Sequence, residues 1–159
     1  MRIPGFNRKT ASPQASAGRN DEPGVTCLAV TRDAVFLSHL GLAAAACGWT
    51  IRHTSSFVDA AAMLRCGSIP LVVYDRDLTE HDWETVLPQL NAVAPHLCIL
   101  LASRVADEYL RQAVVRHRGY DILIKSATPE DLTRRLQFAW FWNSRLQKQC
   151  AAVGGGTAA

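Results

Sequence analysis

Residues 70–77 read PLVVYDRD, a short apolar run that ends at two acids. A run of this length, rich in Val, Leu and Tyr, is too short for a helix and typical of a strand. Its apolar residues are consecutive and do not alternate with polar ones, as expected for a parallel strand covered on both faces. The stretch therefore predicts a buried strand over 70–74, with Asp75 just after its carboxyl end.

Four further runs of the same kind predict four more strands, and longer segments with helical apolar spacing separate them. Thr128-Pro129-Glu130-Asp131 is a strong helix start, with a capping Thr, a Pro in the first turn and acids at the positive end of the helix dipole. Pro88 predicts a kink or break in the third helix. The predicted strands are 26–30, 49–53, 70–74, 97–102 and 120–124; the predicted helices are 34–47, 56–66, 80–94, 105–117 and 128 to about 147.

Five alternating strand–helix pairs predict an α/β fold. With right-handed crossovers they form a doubly wound parallel (βα)5 sheet of flavodoxin-like type, with strand order 2-1-3-4-5. Sites in such sheets lie outside the carboxyl ends of the strands. The residues there include Asp75 and Asp77 after strand 3, Ser103 after strand 4 and Lys125 after strand 5. A carboxylate, a hydroxyl and an ammonium at successive strand ends indicate phosphoryl chemistry, with Mg²⁺ to neutralise charge.

Composition and charge limit the classes of partner and the compartment that are compatible with this sequence. The 159 residues carry a net charge of +3, but residues 1–24 and 143–159 hold +2 each, so residues 25–142 sum to −1. A nearly neutral centre argues against a nucleic-acid-binding domain. No apolar run is long enough for a membrane span, and residues 1–24 contain no apolar core of the kind a secretory signal requires. Five cysteines without a C-x-x-C pair favour a reducing cytoplasm. We expect a disordered arm over 1–24, a single domain over 25–148 and a flexible tail over 149–159.

From about residue 25 to 142 the chain resembles the receiver domain of bacterial two-component response regulators, the family that includes CheY. The segments that carry the resemblance are LVVYDRDL (71–78), CILLAS (98–103) and YDILIKSATPEDL (120–132). The resemblance implies that Asp75 is the phosphoacceptor and that Ser103 and Lys125 are the conserved hydroxyl and lysine of the family. It also implies a CheY-like fold, a role in phosphorelay signalling without enzymatic activity, and a sensor histidine kinase or other signalling protein as partner. No output domain follows residue 150, so we expect output through protein contact.

The pocket departs from the family pattern. Receivers carry two adjacent acids after strand 1, where this chain has Thr31 and Arg32, and Asp33 comes one residue later. The sequence leaves Asp33 either a weak Mg²⁺ ligand, together with Asp75 and Asp77, or a helix N-cap. We hypothesise that Arg32 pairs with Asp75 and partly replaces the metal. The pocket charge would then be +1 or zero, and Mg²⁺ would bind weakly.

Two functions remain open at this stage: weak phosphorylation on Asp75, or a pseudo-receiver that signals by binding alone. The aromatic switch position of the family falls on Ile122, and Tyr120 is predicted to lie on the same strand face. An FMN-binding flavodoxin-like protein is disfavoured, because TRDAVF after strand 1 is not a Ser/Thr/Gly-rich phosphate-binding loop.

The last predicted helix has more apolar side chains than one buried face needs. Phe138, Phe141 and Trp142 widen its apolar arc beyond the face formed by Leu132 and Leu136. An exposed aromatic patch usually marks an interface. The sequence therefore predicts a homodimer or another protein partner at this helix, with the arm or the tail as an alternative cover for the rings.

Overall fold

The computed structural model describes residues 24–154, so most of the predicted arm over 1–24 lies outside it. Strands and helices alternate five times along these residues. In chain order the elements are β1 (Thr26–Val30), α1 (Ala34–Ala46), β2 (Thr50–Thr54), α2 (Phe57–Cys66), β3 (Leu71–Asp75), α3 (Trp83–Val93), β4 (Cys98–Ser103), α4 (Glu108–Arg116), β5 (Asp121–Ile124) and α5 (Pro129–Gly154).

The five strands form one parallel sheet in the order β2-β1-β3-β4-β5, which confirms the predicted fold and topology. The strand bounds agree with the prediction to within one residue. Strands β3 and β4 end one residue later than predicted, so Asp75 and Ser103 are the last residues of their strands. Both side chains therefore have their direction fixed by the sheet.

Apolar helix faces cover both sides of the sheet, as the continuous apolar strands predict. One core layer, between the sheet and α2, α3 and α4, includes Val72, Leu87 and Ile122. The other, between the sheet and α1 and α5, includes Phe36 and Leu136. All five of these side chains are fully buried. Strands β1, β3, β4 and β5 contribute alternate residues to the two layers, whereas the edge strand β2 contributes only the partly buried Ile51.

Helix ends follow the local sequence. The Asp33 side chain caps α1 by accepting a hydrogen bond from the Phe36 N–H at 3.0 Å. At the other end of α1, Gly48 has φ +71, and the Gly48 and Trp49 N–H groups donate to the Ala45 and Ala44 carbonyls. This is a Schellman motif, in which glycine takes the left-handed position without steric cost. Both caps therefore match the sequence signals.

Three helices differ from the prediction by more than one residue. Helices α3 and α4 begin three residues later than predicted, after the N-caps Asp82 and Asp107. Pro88 lies inside a continuous α3, so it does not break the helix. Helix α5 continues to Gly154 and not to about 147, so the residues from 149 to 154 of the predicted tail are helical. Gln147, Lys148 and Gln149 have good helix propensity, and the glycines begin only at 154, which explains the longer helix. No helix among the described residues is long and apolar enough to cross a membrane.

Candidate functional site

Four polar side chains are buried at the carboxyl edge of the sheet. Thr31 follows β1, Asp75 ends β3, Ser103 ends β4 and Lys125 follows β5, and each is at most 8% exposed. The parallel register aligns Asp75 with Ala102 and Ser103 with Ile124, so consecutive strands present these residues at one level. The structure thus brings together the three residues that the sequence predicts as the site, and adds Thr31.

The Lys125 ammonium lies at the focus of three carboxylates. Its Nζ is 2.9 and 3.1 Å from the two Asp75 oxygens, 3.1 Å from Asp77 Oδ2 and 3.1 Å from Asp33 Oδ2. Burial of the ammonium by itself lowers its pKa, but hydrogen bonds to the three carboxylates outweigh burial and leave the pKa of Lys125 raised. Lys125 is therefore charged at neutral pH and held as a fixed cation.

The Asp75 carboxylate has two donors on each oxygen. The Thr31 hydroxyl donates to Oδ2 at 2.6 Å and the Asp77 N–H donates to Oδ1 at 3.0 Å, in addition to the two contacts from Lys125. The Thr31 Oγ1 in turn accepts from the Asp33 N–H at 3.0 Å. A carboxylate in such a ring of donors has its hydrogen-bonding capacity satisfied and its orientation fixed.

Asp33 serves the helix and the pocket at once. One oxygen caps α1, and the other contacts Lys125. The hydrogen bond from the Phe36 N–H, followed by the contact with Lys125, lowers the pKa of the Asp33 carboxyl below its ordinary value. The N-cap role predicted from the sequence is confirmed, and the side chain also reaches inward.

The predicted ion pair between Arg32 and Asp75 is wrong. Arg32 extends outward and pairs with Glu80, and its side chain is about half exposed. Both residues lie in the loop after β1, where Thr31 points into the pocket toward Asp75 and Arg32 points away from it toward Glu80. Without Arg32, the pocket holds the carboxylates of Asp33, Asp75 and Asp77 and the Lys125 ammonium. Their formal charges sum to −2, and not to +1 or zero. Arg104, on the rim, offsets part of this through Asp77 at 3.2 Å.

The pocket as folded does not fit Mg²⁺. Carboxylate oxygens are suitable ligands for a hard cation, but here they converge on the Lys125 ammonium. Among residues 24–154 no group of three or more acidic, His or Cys side chains is arranged to hold a metal ion. Asp33, Asp75 and Asp77 are thus brought together as predicted, around a lysine.

Ser103 is placed at the site but its hydroxyl is turned toward its own loop. Its Oγ accepts from the Val105 N–H at 3.3 Å, and its carbonyl accepts from the Lys125 N–H at 2.9 Å. Within the described part of the chain no hydrogen bond joins the Ser103 hydroxyl to Asp75 or to Lys125. Its contribution to the pocket is to position the backbone of Lys125.

The expectation that Tyr120 shares a strand face with Ile122 is wrong. Ile122 is buried in the layer under α3 and α4, whereas Tyr120 packs against the layer under α1 and α5. Strand β5 begins only at Asp121, so the period-two alternation does not extend back to Tyr120. No aromatic side chain of β5 therefore lies on the α4 side.

The rings predicted as an interface are exposed on α5. Phe138, Phe141 and Trp142 are 59%, 52% and 42% exposed. Trp142 packs edge-to-face against both phenylalanines, with ring centroids 6.0 and 6.1 Å apart. The three rings form one continuous aromatic cluster on the outer side of the helix.

Solved structures share this arrangement of strands and helices. A CheY-like response regulator receiver domain protein from Methanospirillum hungatei aligns with a TM-score of 0.68 and 13% identity, over 77% of this chain and 98% of that chain. The chain has the receiver-domain fold. CheY4 from Vibrio cholerae gives 0.66 and 14%, over 73% and 98% of the two chains. A response regulator from Chloroflexus aurantiacus gives 0.66 and 21%, over 73% and 97%.

The sequence comparisons find no relative, in contrast to the structural ones. No protein-family model matches the chain, and a search of curated proteins gives no match. At identities of 13–21% the likeness establishes the receiver fold, and function has to be argued from the pocket and the surface.

Two roles in the pocket were missed by the sequence prediction. The Thr31 hydroxyl is a direct partner of Asp75, although the sequence suggested only a missing acid. Glu80 is the partner that draws Arg32 away from the pocket. No sequence signal specifies either contact, since each depends on side-chain directions across 44 and 48 residues of chain.

Proposed function

We propose that this chain is a receiver-fold signalling module that acts through protein contact, with a pocket in which Lys125 takes the place of a metal ion. The observation that carries the proposal is the position of the Lys125 Nζ, within about 3 Å of three carboxylates. It is a non-enzymatic module of phosphorelay signalling, and its five free cysteines favour the cytoplasm.

The state of Asp75 supports a pseudo-receiver over a phosphoacceptor. To become phosphorylated, a carboxylate oxygen of Asp75 must attack phosphorus, which requires a free lone pair and an open approach. Each oxygen already accepts two hydrogen bonds, and the residue is 2% exposed. Attack would require Thr31 or Lys125 to move.

A second candidate is slow phosphorylation of Asp75 by a sensor histidine kinase. It is favoured by the placement of Asp75, Ser103 and Lys125 at one edge of the sheet, in the order implied by the resemblance to receivers. Asp33 and Asp77 would then supply the remaining oxygens for weakly bound Mg²⁺ after Lys125 moves aside.

One experiment separates the two candidates. The protein is incubated with acetyl phosphate and Mg²⁺ and its intact mass is measured, with Asp75→Asn as the matched control. We expect no phosphoryl adduct on the folded protein. A single adduct that is lost in Asp75→Asn would overturn the pseudo-receiver and establish the second candidate.

The contact surface we assign to this output is the aromatic cluster of α5, formed by Phe138, Phe141 and Trp142. Its exposed rings and central Trp fit an interface with another protein or with a second copy of the chain. Light scattering over a range of protein concentrations tests whether two copies of the chain associate through this cluster. A protein that stays monomeric at every concentration excludes the homodimer.

A further inference from the structure

Helix α5 combines the aromatic cluster with an excess of positive charge. From residue 132 to 159 the sequence contains no Asp or Glu, while Arg134, Arg135, Arg145 and Lys148 carry four positive charges. Arg134 and Arg135 already contact the carboxylates of Asp131 and Asp121. Within residues 24–154, no carboxylate lies within 4 Å of the Arg145 or Lys148 cation.

The exposed apolar residues extend along the same side of the helix. The aromatic cluster is followed by Leu146 and Val153, both exposed, and Arg145 lies over the Phe141 ring at 5.3 Å from its centroid. At 1.5 Å per residue the stripe from Phe138 to Val153 is about 22 Å long. A narrow stripe of this length matches one face of another helix.

A groove continues the stripe toward the edge of the sheet. A cavity of about 320 Å³ lies beside Phe138 and is lined by Leu100, Tyr120, Leu123, Arg134, Arg135 and Asp121, whose carboxylate pairs with Arg135. It has room for an aliphatic side chain, with two guanidinium groups at its rim. Apolar anchors flanked by carboxylates would therefore be complementary to this surface.

We infer that α5 docks an acidic amphipathic helix of a partner protein, whose apolar face covers the stripe and whose carboxylates pair with Arg145 and Lys148. The inference rests on the proposed contact-based output and names the chemistry of its partner. Charge argues against a second copy, because residues 132–159 of that copy contain no Asp or Glu to pair with Arg145 and Lys148.

The test uses the full chain and a synthetic helical peptide about three heptads long, with Leu at positions a and d and Glu at e and g. Binding is followed by fluorescence anisotropy of the labelled peptide. We expect the Arg145→Glu/Lys148→Glu variant and the Trp142→Ala variant each to weaken binding at least about tenfold, and added salt to weaken it further. Tyr109→Ala, which removes an exposed ring on α4, is the matched control and should bind as the native chain does.

Three further arms distinguish the competing outcomes. A peptide with Ser in place of Leu should not bind; equal binding would mean that net charge alone is responsible and would overturn the inference. Stronger binding to phosphatidylserine vesicles than to the peptide, or dimers of the native chain that Trp142→Ala abolishes, would also overturn it. Absence of binding to the acidic peptide would also overturn the inference. Circular dichroism checks that the variants are folded, and the acetyl phosphate result tests the proposed function independently.

Discussion

At the scale of single residues, Lys125 determines the state of the pocket. Three carboxylates gathered within 3.1 Å of one ammonium are stable only while that ammonium is present, since removing one partner of a buried ion pair leaves uncompensated charge. The lysine therefore has a structural role in addition to any signalling role. It also competes with added cations for the same oxygens.

Lys125→Met should lower the free energy of unfolding by about 3 kcal/mol at neutral pH without Mg²⁺. Millimolar Mg²⁺ should recover part of this loss, because the freed carboxylates become cation ligands. Urea unfolding with and without MgCl₂ measures both effects. Lys148→Met, on the exposed side of α5, is the control and should change neither. A Lys125→Met protein that is insensitive to Mg²⁺ would contradict the idea that the ammonium blocks a cation site.

Asp33→Asn keeps an acceptor for the α1 cap but removes the charge that faces Lys125. The native carboxyl has a lowered pKa, so its stabilisation is fully present above its ordinary value of 3.8 and disappears as pH falls through the lower, folded-state pKa. For this partly exposed group we expect a stability difference of about 0.5 kcal/mol at pH 7. The difference between native and variant melting curves should vanish once the pH is below the lowered, folded-state pKa; a difference that persists in the protonated protein would mean that the cap, not the charge, matters.

The sequence allowed the backbone positions of the site residues to be predicted, but not the directions of all their side chains. Asp75, Ser103 and Lys125 each come at or just after a strand end, and parallel strands bring such residues to one edge. The directions of Arg32 and Thr31 were not predictable, because a loop after β1 leaves both orientations open. The partner of Arg32 lies in another loop, at Glu80, which only the folded chain brings near.

At the scale of elements, helices and strands followed from apolar periodicity and capping residues. Strand bounds were predicted to within one residue because the runs are continuous and flanked by polar residues. Helix ends were less predictable. The end of α5 depends on propensity alone beyond residue 147, and the start of α3 at Trp83 depends on the cap provided by Asp82.

The turn between α4 and β5 places the strand that leads to Lys125, and Gly119 is essential to it. A Cβ at Gly119 would lie 2.4 Å from Val114 Cγ1, 3.0 Å from Leu87 Cδ2 and 3.1 Å from the Val114 carbonyl. Gly119→Ala should therefore destabilise the protein by about 1–3 kcal/mol. Gly41→Ala, inside α1 with nothing within 4 Å of the new Cβ, should instead stabilise it by about 0.5–1 kcal/mol. Thermal unfolding compares the two variants, and equal effects would refute the packing argument.

At the scale of the whole molecule, two core layers share one sheet. Every central strand contributes side chains to both layers, so neither layer can be lost while the sheet remains intact. The molecule should accordingly unfold in one cooperative transition.

Leu87→Ala and Leu136→Ala test this cooperativity from opposite sides of the sheet. Both side chains are fully buried, so each truncation should lower the free energy of unfolding by about 2–5 kcal/mol. Urea transitions followed by tryptophan fluorescence and by far-ultraviolet circular dichroism should coincide for both variants. Separate midpoints for the two probes in either variant would show that the layers unfold independently.

The length of α5 has a mechanical consequence. Its 26 residues make a rod of about 39 Å that begins four residues after Lys125. A pivot of about 5° at Pro129 would displace the far end by about 3 Å, a lever that magnifies small movements near the pocket. The Asn143 and Gln147 side-chain amides both donate to the His96 carbonyl and brace the rod part-way along. The brace therefore opposes such a pivot, and movement near the pocket would have to break these two hydrogen bonds to reach the far end of the rod.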